Sequence, residues 1–435
     1  MARKMKDSGI QWVGDIPSHW NMVKTNSFCS TITDYVASGS FASLAENVVY
    51  LDEPDYAMLV RTMDVSGKGY SGKPVYINKH SYDFLSNSNL FGGEIMLPNI
   101  GASVGDVYIV PKLYERMSLA PNAIMVKTTV CDKFVYYYFY SDAGRLSLLD
   151  IAQSTAQPKF NKTDFRQLRI AMPSKDEQEK IANLLDEKCQ AIDAVISKTK
   201  ATIEEYRQLK QSIVINTVTR GFYTNCQMKN SGIEWIGDIP SHWGVKSAFQ
   251  LFSQVKNKNE GLVEQNLLSL SYGKIKRRSI DAVGGLLPEN FDGYNIIEQD
   301  DIVLRLTDLQ NDHTSLRVGL SPERGIVTSA YLTLRNQSAN TPLYLYYYLH
   351  SFDLCKGFYG MGAGVRQGLN WDGLKQLKIV VPPIEEQIKI TDYLEKKCAE
   401  IDTLIAKKTA LLEEMETYKK SVIYEYVTGK KEVTV

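Results

Sequence analysis

The chain of 435 residues carries 50 basic and 50 acidic side chains, so its formal net charge is zero and its bulk charge attracts it neither to nucleic acid nor to an anionic membrane. Its 44% hydrophobic and 23% charged residues are typical of a globular protein with room for two or three domains. The opening MARKMKDSG has no apolar core and the longest apolar runs are too short for a membrane span, so we expect a cytoplasmic protein without a membrane partner. The six cysteines form no CxxC pair, which predicts reduced thiols and no metal site.

The first element of the chain is a motif that occurs twice. SGIQWVGDIPSHW occupies residues 8–20 (the first motif) and SGIEWIGDIPSHW occupies residues 231–243 (the second motif). A match of this length predicts an internally duplicated chain. His19 and His242 have no second set of ligands beside them, so the favoured interpretation is that they pack against Trp20 and Trp243.

Each motif is followed by a globular segment whose pattern indicates mixed α/β structure. In the first segment, residues 21–173, short runs such as VYIV alternate with turns such as FGGE, and KFVYYYFY is typical of an aromatic-rich helix. In the second segment, residues 244–382, IVLRL and PERG repeat this alternation before the helical PLYLYYYLH. The two segments barely match upstream of their last loop and strand. This combination predicts one scaffold that presents two different surfaces.

A long helix is predicted after each segment, because residues 173–219 align with residues 382–428 at a constant offset of 209. The matched positions include Pro173/Pro382, Glu177/Glu386, Gln178/Gln387, Cys189/Cys398 and Asp193/Asp402. Both tails begin with a proline and acidic residues, which suit a helix N-terminus, and neither has an internal glycine or proline. A helix of about 40 residues is on the order of 60 Å long.

Apolar residues in both helices follow heptads and predict a coiled-coil seam, the row of side chains that faces a partner helix. The seam of the first helix is predicted to hold Leu185, Ile192, Tyr206 and Ile213 on one heptad position and Ile181, Val195 and Leu209 on the other, with Ile196 and Ile203 beside it. The seam of the second helix is predicted to hold Ile390, Leu394, Ile401, Leu404, Leu411, Met415, Tyr418 and Val422. Antiparallel pairing of the two helices would bring the end of the second back to residues 1–20. Two unrelated surface helices are the alternative.

Catalytic motifs are not evident in the sequence. FYGMG at 358–362 matches the F-x-G-x-G of S-adenosylmethionine-binding loops, but it follows an apparent helix instead of a strand, and the chain has no N/D-P-P-Y/F tetrad. GASVGD at 101–106 lacks the Lys-Ser/Thr that a nucleotide-binding loop requires. We therefore expect a non-catalytic chain that binds no cofactor itself.

Features suited to nucleic acid are local. The sharpest basic cluster is YGKIKRRS, residues 272–279, where Lys274, Lys276, Arg277 and Arg278 adjoin Tyr272. Phosphate contacts suit such a run, although a solvated hairpin is equally compatible with it. Arginine, asparagine and glutamine, which suit base edges, gather with lysines in the loops of both segments. The candidates are Arg61, Lys68, Lys73, Asn99, Gln157, Lys159 and Asn161 in the first segment, and Arg305, Asn311, Arg317, Arg366, Gln367 and Asn370 in the second.

Three features together resemble the DNA-specificity subunit of type I restriction–modification systems. They are the doubled GIxWxGDIPSHW motif, the doubled P-x3-EQ-x-x-I start of a long helix, and the alternation of divergent with repeated regions. The resemblance covers essentially the whole chain, and it is the combination of motifs that makes it specific.

The resemblance implies an α+β chain with two mixed α/β target-recognition domains, residues 21–173 and 244–382, joined by two long antiparallel coiled-coil helices in a pseudo-twofold internal repeat. The helices would occupy residues 174–221 and 383–435, and the motif regions residues 1–20 and 222–243. Each recognition domain would read one half of a bipartite, asymmetric site in double-stranded DNA, while the helical pair would set the spacer. The expected partners are two methyltransferase subunits, which would bind S-adenosylmethionine and methylate adenine at N6, and restriction or motor subunits that use ATP and Mg.

Two alternatives remain at the level of sequence. A non-catalytic coiled-coil interaction scaffold with two protein- or sugar-binding domains would carry the same repeats. Sequence-specific methylation on co-expression with the partner subunits would distinguish the specificity subunit from this scaffold. A self-sufficient DNA methyltransferase would bind S-adenosylmethionine alone, and the missing tetrad argues against it.

Overall fold

The computed structural model describes residues 3–66, 73–152, 157–222, 226–279, 291–312, 314–362 and 368–433. The chain divides into two compact units, each of which combines one globular segment with parts of both long helices. The first unit comprises Met1–Thr199 and Ala410–Val435, and the second unit comprises Lys200–Thr409. Of the DNA-contact candidates, Lys68, Arg366 and Gln367 lie outside the described residues.

The first motif and the first segment contain short strands and helices. The strands are β1 Met5–Asp7, β2 Asp15–Pro17, β3 Asn21–Lys24, β4 Cys29–Asp34, β5 Tyr50–Leu51, β6 Ala57–Val60, β7 Tyr76–Ile77, β8 Asn89–Leu90, β9 Ile95–Pro98, β10 Tyr108–Ile109, β11 Met117–Leu119, β12 Ala123–Thr128 and β13 Arg169–Met172. The helices are α1 Phe41–Asn47, α2 Thr62–Val65, α3 Lys79–Phe84, α4 Asp132–Tyr140, α5 Asp142–Asp150 and α6 Lys162–Gln167, followed by the long helix α7 Lys175–Arg220.

Two sheets form the body of the first segment. One has the order β10-β9-β12-β4 with antiparallel neighbours, and the other has the order β5-β7-β6-β11-β8, in which β6 and β11 are parallel. Strand β9 is buried on both faces, and its alternate side chains point in opposite directions. Ile95 and Leu97 join the core that includes α4, whereas Met96 joins a second cluster with Met117 of β11. Strand β9 therefore lies between two hydrophobic clusters.

The second motif and the second segment repeat this plan with different strands. They contain β14 Met228–Asn230, β15 Asp238–Pro240, β16 Gly244–Ser247, β17 Phe252–Gln254, β18 Leu268–Ser271, β19 Lys274–Arg277, β20 Asn295–Ile297, β21 Ile302–Leu304, β22 Val318–Leu320, β23 Gly325–Val327, β24 Leu332–Asn336 and β25 Lys378–Val381. The helices are α8 Ala248–Leu251, α9 Pro342–Leu354 and α10 Trp371–Leu374, followed by the long helix α11 Ile384–Val427.

The second segment has one four-stranded sheet and several two-stranded pairs. The sheet has the order β17-β24-β21-β22, and separate pairs join β18 to β19 and β20 to β23. The strand that precedes each long helix pairs with the strand that follows the motif of the same unit. Ile170 of β13 faces Val23 of β3, and Val380 of β25 faces Val245 of β16. Both segments are therefore closed by the same strand pair.

The seam of the long helices agrees with the prediction at one heptad position, and at the other it agrees at Ile181, which is buried, and differs further along the helices. Leu185, Ile192 and Leu394 are buried, as predicted. Four residues that were predicted to lie in the seam are instead between 42% and 52% exposed, and for them the prediction is wrong: Val195, Leu209, Leu404 and Tyr418.

The second heptad position of α7 lies one residue away from the predicted one. It contains the buried Cys189 and Ile203 and the partly buried Ile196 and Lys210. A seam accepts a small side chain or the apolar stem of a lysine as well as an aliphatic side chain. Both neighbouring positions carry aliphatic side chains, Val195 and Leu209 on one and Ile196 and Ile203 on the other, so apolar periodicity alone does not distinguish between them.

Candidate nucleic-acid interface

A carboxylate at the start of α7 holds the first motif within the first unit. Trp20 Nε1 donates to Glu177 Oε2 at 2.9 Å, and His19 Nε2 lies 3.2 Å from the same oxygen. Arg3 forms an ion pair with the other carboxylate oxygen and lies over the Trp20 ring. Trp20 is fully buried, whereas His19 stays largely exposed, so the histidine acts as a polar partner of Glu177 at the rim of the motif.

The second unit repeats this arrangement at the matched positions. Trp243 Nε1 donates to Glu386 Oε2 at 2.8 Å, and His242 Nε2 lies 2.7 Å from Glu386 Oε1. Sequence reasoning identified Glu177 and Glu386 as matched residues but assigned them no role. The signal in the sequence was that both copies have a glutamate at the same position in the first turn of a long helix.

Gln178 and Gln387, which follow these two glutamates, join each long helix to the aromatic-rich helix of its own segment. The N–H of Cys131, which precedes α4, donates to Gln178 Oε1 at 3.1 Å. The N–H of Thr341, which precedes α9, donates to Gln387 Oε1 at 3.0 Å. Both glutamines are buried, so a side chain of the long helix satisfies a backbone N–H at the start of α4 and of α9.

Further along each long helix, a tyrosine of the aromatic-rich helix makes a second contact. The Tyr137 hydroxyl donates to Asp186 Oδ1 at 2.7 Å, and the Tyr347 hydroxyl donates to Glu395 Oε1. Burial raises the pKa of both tyrosines, so each remains a neutral donor. The attachment of segment to helix is thus repeated contact by contact in the two units.

The end of α11 packs against the first motif within the first unit, as the antiparallel arrangement predicts. The Tyr424 hydroxyl donates to the carbonyls of Trp12 and Val13, both at 3.2 Å, and Lys430 Nζ donates to the Val13 carbonyl at 2.9 Å. At Gly429, φ is +72° and a β-carbon would come within 2.4 Å of Pro17, so only glycine fits this approach. The predicted return of the second helix to residues 1–20 is confirmed.

Each unit also contains an ion pair between the two long helices. Lys419 Nζ lies 2.7 Å from both carboxylate oxygens of Asp193 in the first unit. Lys210 Nζ lies 2.7 Å from both oxygens of Asp402 in the second unit. The four residues obey the offset of 209, so the pair is another feature that the repeat preserves.

In the first segment, one of the predicted DNA-contact residues, Arg61, lines a cleft of about 380 Å³, and two others are joined to residues of its wall. Arg61 lines the cleft, pairs with Asp64 and donates to the Lys73 carbonyl at 2.9 Å. Ile100, also on the cleft wall, forms an antiparallel bridge with the exposed Lys159. The backbones of Lys73 and Lys159 are thus each next to a residue of the cleft wall, and contact of all three predicted residues with DNA stays a prediction.

The remaining polar candidates of the first segment differ in exposure. Gln157, two residues before Lys159, is exposed. Asn99 is buried, and its Nδ2 donates to the Phe160 carbonyl at 3.0 Å, so the prediction that it reads DNA is wrong. Asn161 is exposed and caps α6, because its Oδ1 accepts the N–H groups of the two residues at 163 and 164. Contact of Asn161 with DNA stays a prediction, as it does for its exposed counterpart Asn370, which caps α10.

The basic cluster of the second segment is a hairpin. Strands β18 and β19 pair from Leu268↔Arg277 to Ser271↔Lys274, and Lys274, Lys276 and Arg278 are exposed. Arg277 is bound to Glu323 by both ends of its guanidinium, with Nε at 2.6 Å from Oε1. The ion pair therefore neutralises part of the charge that the sequence assigned to this run.

Arg305, Asn311 and Arg317 were predicted together, but the structure separates them. Arg305 and Asn311 lie on the loop between β21 and β22, where Asn311 is exposed and Arg305 is partly exposed. Arg317 is fully buried, and its guanidinium donates to the carbonyls of Arg305 and Thr307 at 3.0 and 2.9 Å. The prediction that Arg317 contacts DNA is wrong, because its donors are occupied by the loop itself.

The surroundings of Arg317 complete a buried polar cluster. Its guanidinium also donates to the carbonyls of Asp308 and Asp312 and to the Tyr359 hydroxyl, and its backbone N–H donates to Asp353 Oδ2 at 2.6 Å. Burial raises the pKa of the Asp353 carboxyl to about 6, although the hydrogen bond from Arg317 opposes that shift. The cluster holds the loop between β21 and β22 in place.

Side chains that could hold a metal ion do not cluster in the described part of the chain. No group of three or more His, Cys, Asp or Glu side chains there is placed to hold a metal ion. The FYGMG stretch follows helix α9, as expected, and Phe358 is buried against Phe352. Among the described helices, none is long and apolar enough to cross a membrane.

Comparisons with known proteins agree on one family. The model described as "Type I restriction modification DNA specificity domain" matches residues 17–205 and 286–414. The putative type I restriction enzyme MjaX specificity subunit of Methanocaldococcus jannaschii is 22% identical over 374 residues, which cover 82% of each chain. The MjaVIII specificity subunit of the same organism is 24% identical over 356 residues, 78% of this chain and 79% of that one.

Solved structures share the fold. A chain from a structural study of complex assembly and conformational transition of the type I R-M system has a TM-score of 0.69 at 12% identity, over 96% of this chain and 99% of that one. The HsdS subunit from Thermoanaerobacter tengcongensis has a TM-score of 0.50 at 13% identity, over 96% and 98% of the two chains.

Proposed function

The chain belongs to the type I restriction–modification DNA specificity family, and from this premise we propose that its two globular segments each read one half of a bipartite, asymmetric DNA site. The resemblance and the fold class inferred from the sequence are confirmed. The chain is a non-catalytic, sequence-specific DNA-binding subunit that assembles with other subunits of a restriction–modification complex. The alternative of a protein- or sugar-binding scaffold is not favoured.

The observation that carries the proposal is the contrast between repeated attachments and divergent surfaces. In each unit the same tryptophan–glutamate contact fixes the motif to the long helix, and the same backbone–glutamine contact fixes the segment to it. The exposed polar groups above these attachments differ, with a cleft at Arg61 in the first unit and a basic hairpin and the Arg305 loop in the second. Two readers on equivalent supports favour two half-sites of different sequence.

Assembly with methyltransferase subunits is proposed from the exposed apolar residues of the helical pair. Val195 and Tyr418 belong to the first unit, and Leu209 and Leu404 belong to the second. Each of the four lies one position before a seam residue, which is the g position of its heptad. In an antiparallel pair, the g residues of the two helices lie on the same side of the seam. Exposed apolar groups on a polar helix mark a binding surface, and one such pair in each unit suits two copies of one partner.

The chemistry expected of the complex would reside in those partners. The methyltransferase subunits would bind S-adenosylmethionine and methylate adenine at N6, and restriction or motor subunits would use ATP and Mg. The specificity chain would contribute DNA sequence recognition and the separation of the two half-sites.

A lengthened helical pair tests the proposal. Seven residues inserted in each helix, after Thr199 and after Thr409, preserve the heptad and add about 10 Å, which corresponds to about three base pairs of DNA. Methylated adenines are mapped genome-wide in cells that carry the chain with its partners. We expect both half-sites unchanged and the spacer lengthened by about three base pairs. An unaltered spacer would contradict the role of the helices as a ruler.

A second experiment tests the docking surface. Leu209→Glu with Leu404→Glu should weaken binding of the methyltransferase subunit to the second unit and lower the complex from two copies to one, as measured by native mass spectrometry. The matched control is Gln208→Glu, an exposed neighbour on the same helix. Retention of two copies in the double variant would refute the assignment of this face.

A further inference from the structure

An exposed aromatic residue lies at the tip of the basic hairpin in the second unit. Strands β18 and β19 are joined by a two-residue turn, Tyr272 and Gly273, between the paired residues Ser271 and Lys274. Tyr272 is 81% exposed, and within the protein it lies at the edge of a cavity of about 310 Å³ that it lines with Tyr346 and Glu395. A residue this exposed is not held by core packing, so packing alone does not account for an aromatic residue here. The tyrosines of α9 provide the contrast, because Tyr344 and Tyr348 are fully buried.

The backbone at the tip also disfavours tyrosine. Tyr272 has φ +48° and Gly273 has φ +75°, the two positive values of a type I′ turn. Asparagine, aspartate or glycine is preferred at the first of these positions, because other side chains are strained in the left-handed region. A strained aromatic residue that is also largely exposed indicates a function that lies outside the folded chain.

The charges beside the tip favour nucleic acid as that external partner. Residues two apart on a strand point to the same face, so Lys274, Lys276 and Arg278 form a row of exposed cations that starts next to Tyr272. Ile275 points to the opposite face and packs on a hydrophobic cluster with Leu268, which anchors the hairpin. The hairpin therefore presents one aromatic ring at its end and three cations along one face.

We propose that Tyr272 is a wedge that inserts its ring at a base step of the bound duplex from the minor groove, while Lys274, Lys276 and Arg278 contact the flanking phosphates. Partial unstacking and kinking by an inserted side chain is easiest at pyrimidine–purine steps. The hairpin thus gives a sequence preference beside the second half-site that depends on how easily the base step is deformed, without hydrogen bonds to base edges. This inference rests on the proposed DNA-binding function.

Substitution of the turn residue separates the wedge from the fold. Tyr272→Asn removes the ring and supplies the residue that the turn prefers, so we expect an equal or higher Tm of the full chain. In the complex with its partner subunits, the same variant should bind site-containing duplex about tenfold more weakly, since stacking of one base on an aromatic ring is of that order. The dependence of log Kd on log salt should not change, because no charge is removed.

Two controls define the role of the ring. Tyr272→Trp keeps a stacking surface and should retain affinity, whereas Lys276→Gln should weaken binding and reduce the salt slope by about one. Duplexes with 2-aminopurine at successive steps beside the second half-site should show a fluorescence increase at one step with the wild-type complex and none with Tyr272→Asn.

Wild-type affinity of Tyr272→Asn, or retention of the 2-aminopurine signal by that variant, would overturn the wedge while leaving the proposed function intact. Absence of sequence-specific binding by the wild-type complex would instead overturn the proposed function, and the wedge with it.

Discussion

Replacing Arg317 with methionine tests whether this residue supports the loop between β21 and β22 or reads DNA. Methionine matches the length of the arginine stem but removes every donor of the guanidinium. In the folded protein those donors bind the Tyr359 hydroxyl and four loop carbonyls, among them those of Arg305 and Thr307. The side chain is fully buried, so water does not replace the lost hydrogen bonds.

The expected cost follows from the number and burial of these contacts. Breaking a buried, hydrogen-bonded charge typically costs about 3–5 kcal/mol, because the remaining partners are left without compensation. For a unit of about 200 residues, each kcal/mol corresponds to roughly 2–4 °C in Tm, so we expect Tm of the second unit to fall by roughly 6–20 °C. The Asp353 carboxylate would lose the nearby positive charge, which adds to the destabilisation.

Thermal unfolding monitored by circular dichroism measures this effect, and Arg305→Met is the matched control. Arg305 lies on the same loop but is partly exposed, so its loss should change Tm by less than about 2 °C. At a temperature where both variants are folded, Arg305→Met should weaken methylation because recognition of the second half-site is impaired. An Arg317→Met protein with wild-type Tm and the same binding defect as Arg305→Met would refute the structural role.

Three further predictions address other contacts. Burial raises the pKa of Asp353 to about 6 next to Arg317, so this carboxyl lowers the free energy of unfolding as pH rises from about 4 to about 6. Burial also lowers the pKa of His350 to about 4, which acts in the opposite direction over the same range, so the fall should be seen in denaturant titrations as the difference between the wild type and Asp353→Asn. Lys419→Glu, which places a like charge beside Asp193, should cost about 1 kcal/mol, and the added Asp193→Lys should restore it in a double-mutant cycle of thermal unfolding. Asn161→Ala should cost about 1 kcal/mol of stability through loss of the α6 cap, and it should weaken methylation at the first half-site only. Asn161→Ser should keep the cap and the stability but lose recognition of that half-site. Unchanged methylation in both variants would exclude Asn161 from DNA contact.

The sequence predicted the long helices well because their signals are local. A proline and acidic residues mark the start of each helix, and periodic apolar residues continue for more than ten turns. The error on Val195 and Leu209 has a physical cause. Aliphatic side chains occupy both neighbouring heptad positions, Val195 and Leu209 on one and Ile196 and Ile203 on the other, and only the packing of the two helices shows which of them faces the partner.

The candidate interface was less predictable because burial of a polar residue depends on residues distant in the sequence. Arg317 resembles Arg305 as an arginine on a polar loop, and only the fold places Asp353 and Tyr359 against it. The same holds for Asn99, whose partner is the carbonyl of Phe160. Residue type therefore identified side chains whose chemistry suits DNA. Which of them are exposed depends on contacts with residues 36 to 61 positions away in the sequence.

The contacts that the two copies share explain how the chain can present two different readers. Glu177 and Glu386, with the glutamine that follows each, contact the motif and the aromatic-rich helix of their own unit. Because these contacts are the same in both units, the helical pair is supported identically whichever segment is attached. A change of recognition surface, such as the cleft at Arg61 or the hairpin at Tyr272, then alters one half-site without disturbing the helices that hold the other. The recognition surfaces of the two segments can therefore differ because the contacts that attach each segment to the helices are the same in both copies.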